Sequence, residues 1–387
     1  MSIFERTNAR GMELAISDLL KNYLFREKVE GVEELWEQIV ENSGGTILRV
    51  LKYFYVSKRD YVLKPQLYKK LKKYAEEVGA QRLTEELVKF SRFYQVSKAA
   101  DQSSISTFFE EIGCTEISSH LPRCLQINAA LQALSEFNVT QFCPPAYAAI
   151  ECLMRNGGQT RAADAKALVR LFVAFEKYHF VNNAICERVG NEVEKLYADA
   201  CKDFARSTNV VKTVEDLISK LTNIKRIATE EEFVANFVDL SYSSDQVPFI
   251  CYIFDRFNNS GSDPSSWVPI YNPDPKILRR LHNIEHFLPQ NPEPALKVKK
   301  DTSDYVDNIG NLLAISYKTN SRLGNASPIE KIARLKGDLR KDVQNLVYID
   351  EFISKYSAKA ATWDKAAMMD RAKDMAEKAY REVWKIK

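Results

Sequence analysis

The residue types best suited to chemistry fall in one stretch, Ile284-Glu285-His286-Phe287-Leu288-Pro289-Gln290. It is followed by Asn308-Ile309-Gly310-Asn311-Leu312 and then by Asn320 and Asn325. A carboxylate beside an imidazole on a short apolar run, with asparagines close behind, is a set from which a single-metal site for breaking phosphodiester bonds can be assembled. Pro289 closes the run, because it removes a backbone donor and fixes φ. Adjacent residues of an extended segment point to opposite faces, so Glu285 reaches an ion next to His286 only if the strand end twists or bulges.

The elements around this stretch read as a hairpin and a helix. After a polar loop over residues 291–308, Asn311-Leu312-Leu313-Ala314-Ile315-Ser316 reads as a second strand. Ser327-Pro328-Ile329-Glu330 is a capping box with proline at the first helical position, opening a helix from Ile329 to Leu335. Hairpin plus helix makes a ββα unit spanning about residues 280–340. Upstream, Val247 to Phe254 is a dense apolar segment that must be buried and that length alone leaves open as strand or helix. Helices are expected at Val214 to Leu221 and Glu230 to Leu240.

From Gly31 to about Arg206 the apolar spacing is helical throughout, punctuated by Gly44-Gly45 and Gly157-Gly158. Leu83, Leu87, Phe90 and Tyr94 form one stripe, the signature of a core-facing helix. The stripe Leu168, Leu171, Phe172, Phe175 continues toward Ile185 and Val193 as two further helices. The polar run Arg206-Ser207-Thr208-Asn209 is the boundary candidate. The expected fold is therefore mostly α, with a helical region over 1–206 and a helix-rich domain over 207–387 that contains the ββα unit.

Among 387 residues, 45% hydrophobic and 28% charged, there is apolar material for two cores. The net charge of +3 does not by itself indicate a polyanion partner, but its distribution is uneven. Between Lys276 and Asp342 there are thirteen Lys or Arg against eight Asp or Glu. Arg279, Arg280, Lys297, Lys299, Lys300, Lys318 and Arg322 are the candidates for phosphate contacts, which position nucleic acid without reading its bases. Lys69-Lys70-x-Lys72-Lys73 is a second basic run. His282 is expected to be an exposed residue, and His120 and His179 structural ones, for they lack acidic or cysteine partners at ligand spacing. Asn308 and Asn325 serve equally well as turn caps. The seven cysteines lack the C-x-x-C spacing of a zinc knuckle, so no zinc is expected and the thiols suit a reducing compartment. With no apolar leader at the N-terminus and no run approaching the ~20 apolar residues that cross a bilayer, a cytoplasmic protein with no membrane partner is expected.

The pattern I-E-H-x-L-P-Q, then G-N-L-x-x-I, then Asn320 nine residues after Asn311, then Asn325 and Lys331, resembles the nuclease domain of GmrS/GmrD-type modification-dependent restriction enzymes. That domain is a member of the HNH or His-Me finger superfamily. The closing helix, with Trp363, Arg371 and Trp384, is similar to that group's last helix. Phe4, Asn8, Gly11, Leu14 and Asp18 to Asn22 resemble the closing segment of the ParB-like nucleotide-hydrolysing domain of the same enzymes. The upstream part of that domain, with its nucleotide-binding motif, is not in the sequence. The resemblance implies that His286 is the general base, an imidazole with a pKa near neutrality. It implies that Glu285 and Asn320 bind one Mg²⁺ or Mn²⁺, that Asn311 holds the His286 loop, and that Gln290, Asn325 and Lys331 support the site. Glu285 stands where the wider superfamily usually has aspartate, as is ordinary in the GmrD-like group. The implied activity is metal-dependent cleavage of foreign or modified DNA in a restriction or anti-phage system. The alternative is a non-catalytic DNA-binding or scaffold subunit that needs a separate ParB-like, nucleotide-hydrolysing partner.

Overall fold

The helical apolar spacing of the first two hundred residues is realised as a succession of helices packed through aromatic side chains. The computed structural model describes residues 16–155, 161–188, 191–225, 227–293, 296, 298 and 300–386. The chain divides into two units, residues 1–176 with 189–225, and residues 177–188 with 226–387. Among the described residues no helix is long and apolar enough to cross a membrane. The expected glycine break at Gly157-Gly158 and most of the N-terminal ParB-like segment lie outside the described residues.

In the first unit Ile47–Lys58, Ala80–Ala99, Cys143–Arg155 and Asn191–Arg206 are the central helices. Leu83, Leu87, Phe90 and Tyr94 are all fully buried, as their spacing requires. Phe90 meets Phe54 and Tyr147 edge to face, at 6.0 Å and 5.1 Å between ring centroids.

The second unit positions the residues singled out above. Its first helix, α1 (Glu230–Val238), is capped by Thr229, which accepts from the Glu232 amide. The apolar segment whose length left strand or helix open is a helix, α2 (Val247–Asn259), with Pro248 in its first turn. Ile250 to Asp255 are buried without a break, so α2 sits inside the unit and not on its rim. It packs against both strands of the only sheet among the described residues.

A short helix α3 (Pro275–Leu281) leads into β1 (His282–His286), which pairs antiparallel with β2 (Leu312–Ser316). The register sets His282 opposite Ser316 and His286 opposite Leu312. Leu312 to Ile315 are all buried, which explains why β2 is continuously apolar where an alternating pattern would mark a half-exposed strand. Three details differ from the sequence expectation. Asn311 belongs to a 3₁₀ turn over Ile309–Asn311 and not to the strand. The helix directly after β2 is α4 (Tyr317–Leu323), capped by Ser316, and it carries Asn320. The expected capped helix is the next one, α5 (Pro328–Lys336), with both hydrogen bonds of the Ser327/Glu330 box formed. His282 is half-buried on β1, not exposed, and burial lowers its pKa.

Two C-terminal helices, α6 (Val347–Tyr356) and α7 (Lys365–Lys378), complete the unit. Helix α7 lies so close to the turn at Gly310 that a Cβ there would stand 2.0 Å from the Met368 carbonyl oxygen. Only glycine fits. The segment 177–188 contributes Phe180, stacked on Trp384 with 4.0 Å between centroids, and Asn182, which accepts from the Ala228 amide at 2.9 Å. His179 is the structural histidine expected. It is fully buried, with Nδ1 2.6 Å from Asn183 Oδ1, and burial pushes its pKa down to about 4.

Candidate active site

The chain after β1 is fixed by one asparagine. Asn311 is fully buried, and its side chain accepts from the Leu288 amide at 2.8 Å and from Trp363 Nε1 at 2.9 Å. Its Nδ2 donates to Leu288 O at 2.9 Å and Val306 O at 2.7 Å. The Asn311 carbonyl also accepts from the Phe287 amide at 2.8 Å. Every donor and both lone pairs of the side chain are thus used, which is what a buried amide needs to be stabilising. Arg371 closes the other side, donating to Gly310 O at 2.8 Å and Leu312 O at 2.9 Å from a fully buried position. Asn308 caps the turn, accepting from the Gly310 amide and donating to Val238 O. These bonds hold residues 286–290 against residues 306–312.

His286, one residue before the clamped loop, points to one side of the hairpin. Its Nε2 is 2.9 Å from Asp307 Oδ1, and Tyr242 meets the ring edge to face at 4.8 Å. Gln290 Nε2 donates to the same Asp307 oxygen at 2.8 Å. Burial lowers the His286 pKa, the neighbouring Asp307 opposes that shift, and Lys331 adds to it. The ring is therefore biased toward its neutral form. A neutral ring that gives Nε2–H to Asp307 leaves Nδ1 as the atom able to take up a proton. Asp307 is absent from the residues picked by sequence, although it directly precedes Asn308; its one signal is a carboxylate at the edge of the asparagine-glycine turn.

Glu285 points the other way, as its neighbour position in a strand demands. It is buried and forms an ion pair with Lys331 of α5, itself buried. Glu285 Oε1 is the oxygen that meets the Lys331 ammonium. Lys331 Nζ also donates to His286 O at 2.7 Å. Burial raises the Glu285 pKa to about 7 against the attraction of Lys331, and burial likewise lowers that of Lys331. Asn320 Nδ2 contacts Ile284 O at 3.4 Å, which brings α4 to the residue before Glu285. Among the described residues no three His, Cys, Asp or Glu side chains cluster as a metal cage.

The basic residues separate into groups. Arg279, Lys300 and Lys318 are exposed. Arg322 is exposed but held by Asp338 and Asp342, both at 2.8 Å. Lys297, Lys299 and the side chain of Arg280 lie outside the described residues. Asn325 is exposed in the turn between α4 and α5.

Residues 227–378 match the family described as GmrSD restriction endonucleases, C-terminal domain, so this part of the chain carries the resemblance read from its motifs. The match begins where the main segment of the second unit begins, at residues 226–227, and ends at the last residue of α7. No curated protein matches the chain.

Proposed function

We propose that this chain is a metal-dependent DNA endonuclease of the HNH or His-Me finger type, acting on foreign or modified DNA in a restriction system. In this reading β1, β2 and α4 are the ββα unit, His286 is the general base, and Glu285 and Asn320 hold one Mg²⁺ or Mn²⁺. The observation that carries it is the match of residues 227–378 to the GmrSD C-terminal domain, with Asn311 fixing the loop beside which His286 is held by Asp307; Glu285 faces the other side of the strand, against Lys331. Oxygen ligands from one carboxylate and one amide suit a hard ion that keeps most of its waters. Glu285 Oε1 is already held by Lys331, and among the described residues no group of three His, Cys, Asp or Glu joins it, so an ion there would have an incomplete set of side-chain ligands. When bound, the ion supplies polarisation of a phosphate and stabilisation of the leaving oxygen. Asp307 orients His286, and the neutral imidazole accepts the proton of the attacking water. Exposed Arg279, Lys300 and Lys318 supply cations for the phosphate backbone.

A plasmid-nicking assay with Mg²⁺ or Mn²⁺ tests this reading, with and without EDTA. His286→Ala should lower cleavage by about a hundred- to ten-thousandfold with folding and DNA binding retained. Metal-dependent cleavage that survives this substitution would overturn the assignment. The Glu285–Lys331 pair, which neutralises the carboxylate, favours the alternative of a DNA-binding subunit that relies on a ParB-like, nucleotide-hydrolysing partner. Its expected result is no nicking by the chain alone with either ion.

A further inference from the structure

Two seven-residue helices, α3 and α4, pack against each other and against β1, and they share one composition. Pro275-Lys276-Ile277-Leu278-Arg279-Arg280-Leu281 and Tyr317-Lys318-Thr319-Asn320-Ser321-Arg322-Leu323 together hold five lysines or arginines and no acidic residue. Ile277 is 43% exposed, Leu281 53% and Tyr317 56%, three of the five large apolar side chains exposed among the described residues of the second unit. Leu281 directly precedes His282 and Tyr317 directly follows Ser316, and His282 and Ser316 are paired, so both stand at that end of the hairpin. We propose that this face binds a single-stranded segment of DNA, with Tyr317 stacking on an unpaired base and Lys276, Arg279 and Lys318 meeting the flanking phosphates. The inference rests on the DNA-binding part of the reading given above and not on its cleavage chemistry.

An apolar side chain left in water forfeits its transfer energy, so three of them gathered on two adjoining helices mark a surface that another molecule covers. Charge identifies the molecule. Lys276, Arg279 and Lys318 are exposed and make no ion pair among the described residues. The nearest acid in sequence, Asp274, is taken up as the cap of α3, where it accepts from the Lys276 amide at 2.8 Å. The occupant must therefore bring negative charge and flat apolar surface together, as phosphates and bases do. Inside a duplex both faces of a base are covered by its neighbours, so an exposed tyrosine ring finds a free face where a strand is unpaired. Tyr317 presents that ring from fixed backbone. Ser316 caps α4 by accepting from the Thr319 amide at 3.1 Å, and the Ser321 hydroxyl donates to the Tyr317 carbonyl at 3.0 Å. Roughly 13 Å of β1, at about 3.3 Å per residue, separates His282 at this end from His286, so a short strand seated here extends to the candidate site.

Fluorescence anisotropy of the full chain with a short labelled single strand, and with the same sequence as a blunt duplex, tests the proposal in EDTA, where no metal-dependent cleavage intervenes. Wild type should bind the single strand more tightly. Tyr317→Ala should weaken that binding about tenfold and leave duplex binding nearly unchanged, while Tyr317→Phe retains it, because stacking needs the ring and not the hydroxyl. Lys318→Gln should weaken both forms and lower the salt slope by about one. Tyr317 is more than half exposed, so its variants should melt with wild type. Unchanged single-strand affinity in Tyr317→Ala would overturn the inference, as would a duplex bound at least as tightly as the single strand. A Tyr317→Ala chain that loses self-association in sedimentation while its DNA affinity holds would assign the face to a second copy and overturn it too. Cleavage by wild type with Mg²⁺ in any of these cases leaves the nuclease reading standing, and Tyr317-dependent binding by a chain that never cleaves removes that reading alone. Binding of neither DNA form would overturn both.

Discussion

Glu285 and Lys331 oppose each other's solvation, and pH exposes the balance. Burial lifts the Glu285 pKa from the usual 4.5 to about 7. The folded state therefore binds more protons than the unfolded one across that window, and stability falls as pH rises from about 4.5 to about 7. His286 works in the opposite sense. Its lowered pKa makes stability rise with pH just below the usual 6.5. Replacing the pair together, as Glu285→Gln with Lys331→Met, should remove the falling component and leave the rising one, seen in urea unfolding at pH 5 and pH 8. Identical pH dependence in wild type and double variant would mean that Glu285 is ionised throughout. Replacing Lys331 alone by Met strands the carboxylate and should cost about 3–5 kcal/mol. At this scale the sequence shows the acid, the imidazole and their opposite facing. It does not show Asp307 on the ring or Lys331 on the acid, because both contacts span twenty or more residues and depend on the path of a loop and the seat of a helix.

The turn over Ile309–Asn311 is the element on which the site's geometry depends. Its Gly310 has no room for a methyl group, since α7 presses a carbonyl against it. Gly310→Ala should force α7 or the turn to move, at a cost of about 3 kcal/mol, and loosen the loop that Asn311 holds. Thermal unfolding and cleavage should fall together. Trp363→Phe is the mild counterpart. It deletes one donor to Asn311 Oδ1 while the Leu288 amide remains, and it retains most of a ring packed on Phe287 at 4.9 Å. A loss of about 1 kcal/mol in urea unfolding is expected, and a loss above ~3 kcal/mol would mean that the indole does more than complete this one hydrogen bond. Local sequence signals account for β1, β2 and α5, because a proline stop, an apolar run and a capping box each act within a few residues. Helix α4 escapes such reading. Tyr317-Lys318-Thr319-Asn320-Ser321-Arg322-Leu323 buries only Thr319 and Leu323, too little for an apolar stripe, and its cap at Ser316 doubles as the last residue of a strand.

On the scale of the whole chain, the two units interleave in sequence, and the short segment 177–188 belongs with residues 226–387 although 189–225 separates them. Helical periodicity cannot reveal this, since Ala162–His179 runs as one helix into the segment, crossing the boundary between residues 176 and 177. What assigns the segment is aromatic packing: Phe180 lies on Trp384, 6.1 Å from Phe233 and 5.6 Å from Tyr252, and Trp384 donates to the Tyr252 hydroxyl at 2.8 Å. A fully buried phenylalanine in such a cluster contributes its transfer energy and fills a space that nothing else can occupy. Phe180→Ala should therefore destabilise the second unit by about 3–5 kcal/mol and leave the first nearly unchanged. Hydrogen exchange resolved by segment provides the measurement. Protection should drop in α1, in α2 and around Trp384, the elements that surround the lost ring, while the helix Ala80–Ala99 keeps its own. Equal loss in both places would show that the units unfold as one cooperative body, and the family match over 227–378 would then mark a boundary of sequence and not of stability.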